Sequence, residues 1–419
     1  MKTPNAQLRP ADKAKQILYV WNYLEWGGVQ TYFLGLMRSA SPKYRVKAIL
    51  PNGSESKILR YLEASRVEYD FYEGRIDLSE AVTIPQKIKR RVNDFLANLS
   101  LAKHLSRYDL KNSAVQIDVA PWTGFFLLLY LVLKTNVFVT LHTAVSETSF
   151  FREILWKFKL AILGAFKNFH LNASNRDVKK SVRRLVGASL DGRMEVIYSS
   201  FNAAELETSA NESRPKQEIA ETYNFPADKI WIAAVGQFIE RKGCWILLEA
   251  IEILGRRRED LFFCWLGTAP LDAPTLEKIR RRDTKNSFRF LPAVEIGAHR
   301  SDLLTLWQAT DIFVLPSFQE GLPMALIEAS ALGKPCIASN INAVPEAVEH
   351  LETGILVDAG DAAQLARAIE RLADDAELRK RLGDNARKAA YKNYEEKNTG
   401  RQMLRLYENS FLEPDKSAN

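Results

Sequence analysis

Residues 311–333 read DIFVLPSFQEGLPMALIEASALG. Asp311 to Pro316 is a short run of apolar, β-branched and aromatic residues closed by proline, which predicts a buried strand. Ser317 to Leu322 then form a loop. Pro323 suits the first helical turn, where its missing N–H would be unpaired anyway, and Gly333 ends the helix that follows. Strand, loop and helix in this order are the repeating piece of a parallel sheet covered by helices, and such sheets bind ligands beyond the carboxyl ends of their strands. The loop therefore aims Glu320, with the backbone N–H groups near Gly321 and Leu322, into a crevice. A helix N-terminus there favours an anion such as phosphate.

The same rhythm extends in both directions. In the second half KIWIAAVG (229–236), LFFCWLG (261–267), FRFLP (288–292) and PCIAS (335–339) read as further strands, with a helix from Trp245 to Leu254. In the first half QILYVWNY (16–23), RVKAIL (45–50), VFVTLH (137–142) and MEVIY (194–198) read as strands, and GGVQTYFLGLMRSA as a helix opening after two glycines. The polar stretch SFNAAELETSANESRPKQ interrupts the alternation. A chain of 419 residues exceeds the size at which one core usually stops growing, so two α/β domains are expected. The division is a polar tail over 1–16, a first doubly wound domain over 17–200, a linker over 201–228, a second doubly wound domain over 229–395, and a last amphipathic helix within 396–419.

With 47% apolar and 26% charged residues the composition is that of a globular protein with a sizeable core. Three cysteines without C-x-x-C spacing are too few for a disulfide scaffold or a thiolate metal site, so a reducing, cytoplasmic compartment is expected. The polar opening MKTPNAQLRPADKAKQ has no apolar core of a secretory signal. The net charge of +7 hides an asymmetry: residues 1–200 carry 30 Lys/Arg against 17 Asp/Glu, +13, whereas residues 201–419 carry 28 against 34, −6. A basic first half concentrates anionic partners, whether lipid head groups, pyrophosphate-linked substrates or nucleic acid. WTGFFLLLYLVL (122–133) is shorter than the roughly 20 residues of a bilayer span and reads as a buried helix. FFREILWKFKLAILGAFKNFH (150–170) interleaves aromatic and basic residues; it either lies at a membrane interface or packs its aromatics in the core.

Glu328 sits among Ala325, Leu326, Ile327, Ala329 and Ala331. A carboxylate buried there needs donors, which vicinal ribose hydroxyls would supply; on a half-exposed helix face it would need none. GQFIERKG offers the cations Arg241 and Lys242 beyond the first strand of the second domain. In YLEWGGVQ, Gly27 and Gly28 permit either a close backbone approach to a ligand or a tight structural turn. G-x-G-x-x-G occurs nowhere, which argues against NAD. In TLHTAVSE, His142 ends a strand where a substrate-facing side chain would fall.

From about Val235 to Asp361 the order VGQFIERKGCWILLEAI, LGTAP, ATDIFVLPSFQEGLPMALIEASALGKPCIAS, VPEAV, TGILVDAGD resembles the retaining GT-B glycosyltransferases with a "glycosyl transferases group 1" domain. The resemblance implies a GT-B fold of two Rossmann-like domains facing across a cleft. It assigns Glu320 to the donor sugar, Glu328 to the nucleotide ribose, Lys242 to the leaving diphosphate and His142 to the donor sugar near the reaction centre. Gln237, Arg241, Gly267, Gly27 and Gly28 join the donor site, with Gln237 standing where many members have arginine and Arg241 its candidate replacement. Asn342 and Ala343 stand where glycines are common, ahead of Pro345 and Glu346.

The implied reaction is metal-independent transfer from a UDP- or GDP-linked sugar to a saccharide or lipid-linked acceptor in polysaccharide or glycolipid synthesis. The nucleotide sugar is a co-substrate, and no cofactor or metal is expected. No D-x-D motif occurs. The implied place of work is the cytoplasm, at the inner face of an anionic membrane. A sugar-nucleotide epimerase or phosphorylase and a non-catalytic sugar-nucleotide binder are the rival readings. Nucleic acid has no recognisable module here.

Overall fold

The computed structural model describes residues 15–24, 28–74, 83–211, 214–297 and 300–412. The polar stretch 1–14, Gly27 and residues 413–419 lie outside the described residues. The chain divides into two compact units, Met1–Ser199 with Glu396–Asn419, and Ser200–Glu395.

In the first unit β1 (Gln16–Val20), β2 (Arg45–Pro51), β3 (Glu68–Tyr72), β4 (Ser113–Ile117), β5 (Asn136–Leu141) and β6 (Phe169–Ala173) form one parallel sheet in the order β3-β2-β1-β4-β5-β6. Because successive strand residues point to opposite faces, β1 splits its apolar run between two cores. Ile17 and Tyr19 pack with Tyr32, Phe33 and Met37 of α1 (Gly28–Ala40) and with Ile58 and Leu62 of α2 (Ser56–Ala64). Leu18 and Val20 belong to the opposite core, with Leu101 and Leu105 of α3 (Ile84–Leu105), Leu128 of α4 (Phe125–Val132) and Leu160 of α5 (Phe150–Ala165). The helix Glu396–Leu412 adds to the first of these faces. Its Met403 and Tyr407 are buried, the Tyr407 hydroxyl lies 3.2 Å from both Tyr19 Oη and Gln116 Oε1, and Glu396 is ion-paired with Arg38 of α1.

The second unit repeats the plan. β7 (Ile230–Val235), β8 (Leu261–Gly267), β9 (Phe288–Pro292), β10 (Ile312–Leu315), β11 (Cys336–Ser339) and β12 (Gly354–Val357) pair in parallel in the order β12-β11-β10-β7-β8-β9. Read from β9, this is the 3-2-1-4-5-6 order of the first unit. Each unit therefore has a switch point, between β1 and β4 and between β7 and β10, where successive connections diverge to opposite halves of the sheet.

Two readings need correction. MEVIY (194–198) is not a strand; Val196 makes a single bridge to Ala173, the last residue of β6. The stretch 201–228 carries the helices Ala203–Asn211 and Lys216–Tyr223 and counts with the second unit. Its polar composition hid them, since each buries only a narrow stripe: Leu206 and Ser209 in one, Ile219 and Ala220 in the other. No helix among the described residues is long and apolar enough to cross a membrane.

Candidate functional site

The loop after β7 and the loop after β10 flank the switch point of the second unit and are stitched together by backbone. Gly243 has φ +74°, and a Cβ there would lie 1.9 Å from the carbonyl oxygen of Pro316, so only glycine admits both the conformation and the approach. Phe318 N donates to Arg241 O at 2.9 Å, and Arg241 Nη1 donates to Gln319 O at 3.1 Å. Arg241 thus clamps one loop to the other.

This clamp brings together Lys242 and Glu320, both candidates from the sequence. Lys242 Nζ donates to Glu320 Oε1 at 2.6 Å, and Ser317 Oγ donates to the same oxygen at 2.6 Å. The side chains are 19% and 7% exposed, a setting in which water screens the pair far less than on an open surface. Glu320 N donates to Asn342 Oδ1 at 3.4 Å. Asn342 holds φ +43°, a left-handed conformation that asparagine tolerates better than other non-glycine residues, so it serves backbone geometry where a glycine would otherwise be expected.

Pro323 is the N-cap of the helix Met324–Ala331, one position earlier than expected, and Gly333 follows its end at φ +73°. The amides of Gly321 and Leu322 make no hydrogen bond among the described residues and precede that N-terminus. Gln237 is exposed at the rim after β7. Gly267, the last residue of β8, is buried; a Cβ there would fall 2.1 Å from the Phe290 ring, so packing alone demands glycine.

Glu328 is buried, but not for want of a partner. Arg300, at the start of the helix Arg300–Ala309, is ion-paired with its Oε1, and Arg300 Nε donates at 3.0 Å to Glu205. Burial raises the Glu328 carboxyl above the usual range, and Arg300 opposes that shift. Burial works against the charge on Arg300, yet the carboxylates of Glu328 and Glu205 hold its guanidinium firmly protonated. Sequence reasoning missed Arg300; it lies on another helix and belongs to no motif.

His142 and Gly28 belong to the first unit. Gly28 opens α1, and among the described residues nothing lies within 4 Å of where its Cβ would be. His142 follows β5, its ring set edge-on to Tyr32 with centroids 4.9 Å apart. Burial pushes its pKa down to about 4, so it is a neutral imidazole, and its Nε2 finds no partner among the described residues. Asp118, one residue beyond β4, is a functional candidate that sequence reasoning did not raise. Its carboxyl is hydrogen-bonded to Tyr23 across the switch point, its Oδ2 has no partner among the described residues, and burial pushes its pKa up to about 7. Asn22 Oδ1, Trp21 Nε1 and Thr148 Oγ1, also near the carboxyl ends of β1 and β5, are buried and unpartnered in the same sense. The only hint in sequence was an aspartate closing the apolar run SAVQID.

Asp118 makes a pH prediction. Its carboxyl has an ordinary value near 3.8 when unfolded and about 7 in the native state, so between these values the folded form holds a proton that the unfolded form has lost. Its contribution to stability therefore falls as pH rises through that window, by about 1.4 kcal/mol for each step of one in pH. His142, with a lowered native value, works in the opposite sense between about 4 and 6.5. Asp118→Asn isolates the first effect. In urea unfolding the variant should gain on the parent by a few kcal/mol between pH 5 and pH 8; parallel pH profiles would mean that Asp118 titrates as an ordinary carboxylate.

The family model "Glycosyl transferases group 1" matches residues 215–389, which hold the Lys242–Glu320 pair and Glu328. The matched stretch lies within the second unit. The capsular polysaccharide biosynthesis glycosyltransferase CapM of Staphylococcus aureus is 28% identical over 185 residues, 44% of this chain and 47% of that protein. The N,N'-diacetylbacillosaminyl-diphospho-undecaprenol alpha-1,3-N-acetylgalactosaminyltransferase of Campylobacter jejuni is 36% identical over 116 residues, 28% of this chain and 31% of that protein. The chain thus spans about half the length, or less, of these curated relatives. The crystal structure of Anabaena Alr3699/HepE in complex with UDP-glucose superposes with a TM-score of 0.72 at 15% identity, covering 94% of this chain and 99% of the other. That likeness, reaching well beyond the group 1 domain, establishes the GT-B fold: two Rossmann-like parallel sheets.

Proposed function

We propose that the protein is a retaining glycosyltransferase that moves a sugar from a nucleoside-diphosphate donor, UDP- or GDP-linked, to a saccharide or lipid-linked acceptor. The observation that carries this reading is the Lys242–Glu320 pair at the switch point, beside the helix N-terminus of Met324–Ala331. A half-buried ammonium and unbonded amides are what a departing diphosphate needs, because preorganised positive charge stabilises the anion as it forms. In this reading Lys242 neutralises the leaving group, and Glu320, held by Lys242 and Ser317, accepts a hydroxyl of the donor sugar. Glu328, one helical turn or two further on, takes the ribose, with Arg300 fixing its carboxylate. Gln237, Arg241, Gly267, Gly321 and Leu322 complete the donor rim, with Arg241 acting chiefly as the clamp between loops. His142, Gly27 and Gly28 remain the first unit's candidates for contact with the donor.

No metal or cofactor is assigned a role; the residues named supply charge neutralisation and orientation by themselves. The activities of the relatives support envelope polysaccharide or glycolipid synthesis, and the UDP-glucose complex of the Anabaena protein supports a UDP-linked donor. We place the enzyme in the cytoplasm, at the inner face of an anionic membrane.

A thermal-shift panel of UDP, GDP, ADP and their sugars tests the donor site. A ligand at 100 times its Kd should stabilise the protein by about 2.7 kcal/mol. Binding followed by release of the nucleoside diphosphate supports the transferase; binding without release, with acceptors of both classes offered, leaves a non-catalytic binder. Indifference to every nucleotide sinks the assignment of the site.

A further inference from the structure

Twenty large apolar side chains are exposed among the described residues, and thirteen of them lie on α3, α4 with its C-cap, and α5. On α3, Ile84, Ile88, Val92, Phe95, Leu96 and Leu99 recur at helical spacing and form one outward stripe. On α5, Phe150, Phe151, Ile154, Leu155 and Phe158 do the same, while its buried residues are Leu160 and Leu163. The three phenylalanines of α5 are therefore not core, whereas Trp156, Phe166 and Phe169 pack in or against it. Phe126 and Leu133, seven residues apart on one side of α4, are each 67% exposed between the two stripes.

The three helices form one surface. Phe95 of α3 meets Phe126 of α4 edge-on at 6.4 Å, and Trp156 of α5 stacks at 4.5 Å on Trp122, which precedes α4. Lys159 of α5 donates to Trp122 O at 2.7 Å. Between α3 and α4 runs a groove of about 320 Å³ whose lining includes Phe95, Leu99, Phe126 and Tyr130. The charges bordering this surface are predominantly positive. α3 carries Lys87, Lys89, Arg90, Arg91 and Lys103 against Asp94 alone, and α5 carries Arg152, Lys157 and Lys159 against Glu153 alone. An exposed apolar face rimmed by cations matches the boundary of an anionic bilayer, where acyl chains take the apolar side chains and phosphates meet the ammonium and guanidinium groups.

We propose that α3, α4 and α5 together are a membrane-seating face, which lies in the headgroup and acyl boundary of an anionic bilayer with the α3–α4 groove open to its lipid chains. This deepens the membrane contact proposed above by naming its surface, and makes α3 an equal partner of α5.

Flotation of the full chain with phosphatidylcholine vesicles, and with vesicles that include phosphatidylglycerol, tests it without donor or acceptor. The parent should float with the anionic vesicles, less so at high salt, and only weakly with phosphatidylcholine alone. Phe151→Ser with Phe158→Ser should lower the partition coefficient about tenfold or more, and Ile88→Ser with Val92→Ser should do likewise. All four residues are exposed, and an unchanged melting temperature verifies folding. Lipid indifference of the parent overturns the proposal, as does an α3 pair that binds as tightly as the parent. A dimer in sedimentation velocity that both pairs dissolve, with no flotation of the parent, assigns the face to a second copy and overturns it too. The nucleotide thermal shift is read on the same proteins. A shift retained while flotation fails refutes only the membrane face, whereas flotation without a shift refutes only the donor site.

Discussion

Lys242→Ala is expected to lower the turnover of sugar transfer by on the order of 10²–10³, the loss typical when one preorganised group at a developing anion is removed. The variant also leaves Glu320, 7% exposed, with Ser317 as its remaining side-chain donor, so some stability is lost as well. A fall in activity alone would not separate the two effects. The double variant Lys242→Ala/Glu320→Ala does, because it removes the stranded carboxylate together with its cation. If the single variant fails only because it strands a buried carboxylate, the double variant recovers turnover along with stability. If Lys242 and Glu320 serve the donor, stability returns and turnover does not. Measuring kcat and urea unfolding on the three proteins decides between them, and full activity of Lys242→Ala would end its assignment to the donor site.

The same geometry explains how far the sequence could be read. Strands buried on both faces are continuous apolar runs, so β7, β8 and β10 stood out in IWIAAV, LFFCWLG and IFVL. β3, EYDFY, is an edge strand with a polar pattern and lacks that signature. Glu320 and Lys242 were legible because each sits in a loop directly after a strand, and parallel topology alone brings those loops to one rim. Arg300 and Asp118 were not, since their roles depend on which helix packs where and on which groups become dry. α5 illustrates the same limit from the other side. Its composition is that of a core helix or of an interface helix, and only the burial of Leu160 and Leu163 opposite exposed phenylalanines separates the two. The two units also share a device invisible in sequence: a side-chain hydrogen bond spanning each switch point, Tyr23 to Asp118 in one and Lys242 to Glu320 in the other.

Arg300→Leu carries the largest expected cost in stability. It removes the cation from Glu328, whose side chain is 6% exposed, and stranding one member of a buried ion pair typically costs about 3–5 kcal/mol. Glu205, which shares Arg300, is 34% exposed and can turn to water, so little of the loss should come from that side. The deficit should grow with pH. Without Arg300 the Glu328 carboxyl, already raised by burial, rises further, and stability is lost progressively above its ordinary value of 4.5 as the unfolded chain ionises and the native one resists. Adding Glu328→Gln should return most of the loss and flatten the pH dependence, because the neutral amide needs no cation. Glu328→Gln alone should cost less than Arg300→Leu, since Arg300 keeps Glu205 and a quarter of its side-chain surface in water. Urea unfolding of the four proteins at pH 5 and pH 8 gives the coupling directly. A coupling near zero would detach Arg300 from Glu328 and leave the buried carboxylate to be satisfied by the ribose hydroxyls alone. A large coupling, with nucleotide affinity weakened in Arg300→Leu as well as in Glu328→Gln, would make Arg300 the group that holds the ribose-binding carboxylate charged and oriented before the donor arrives.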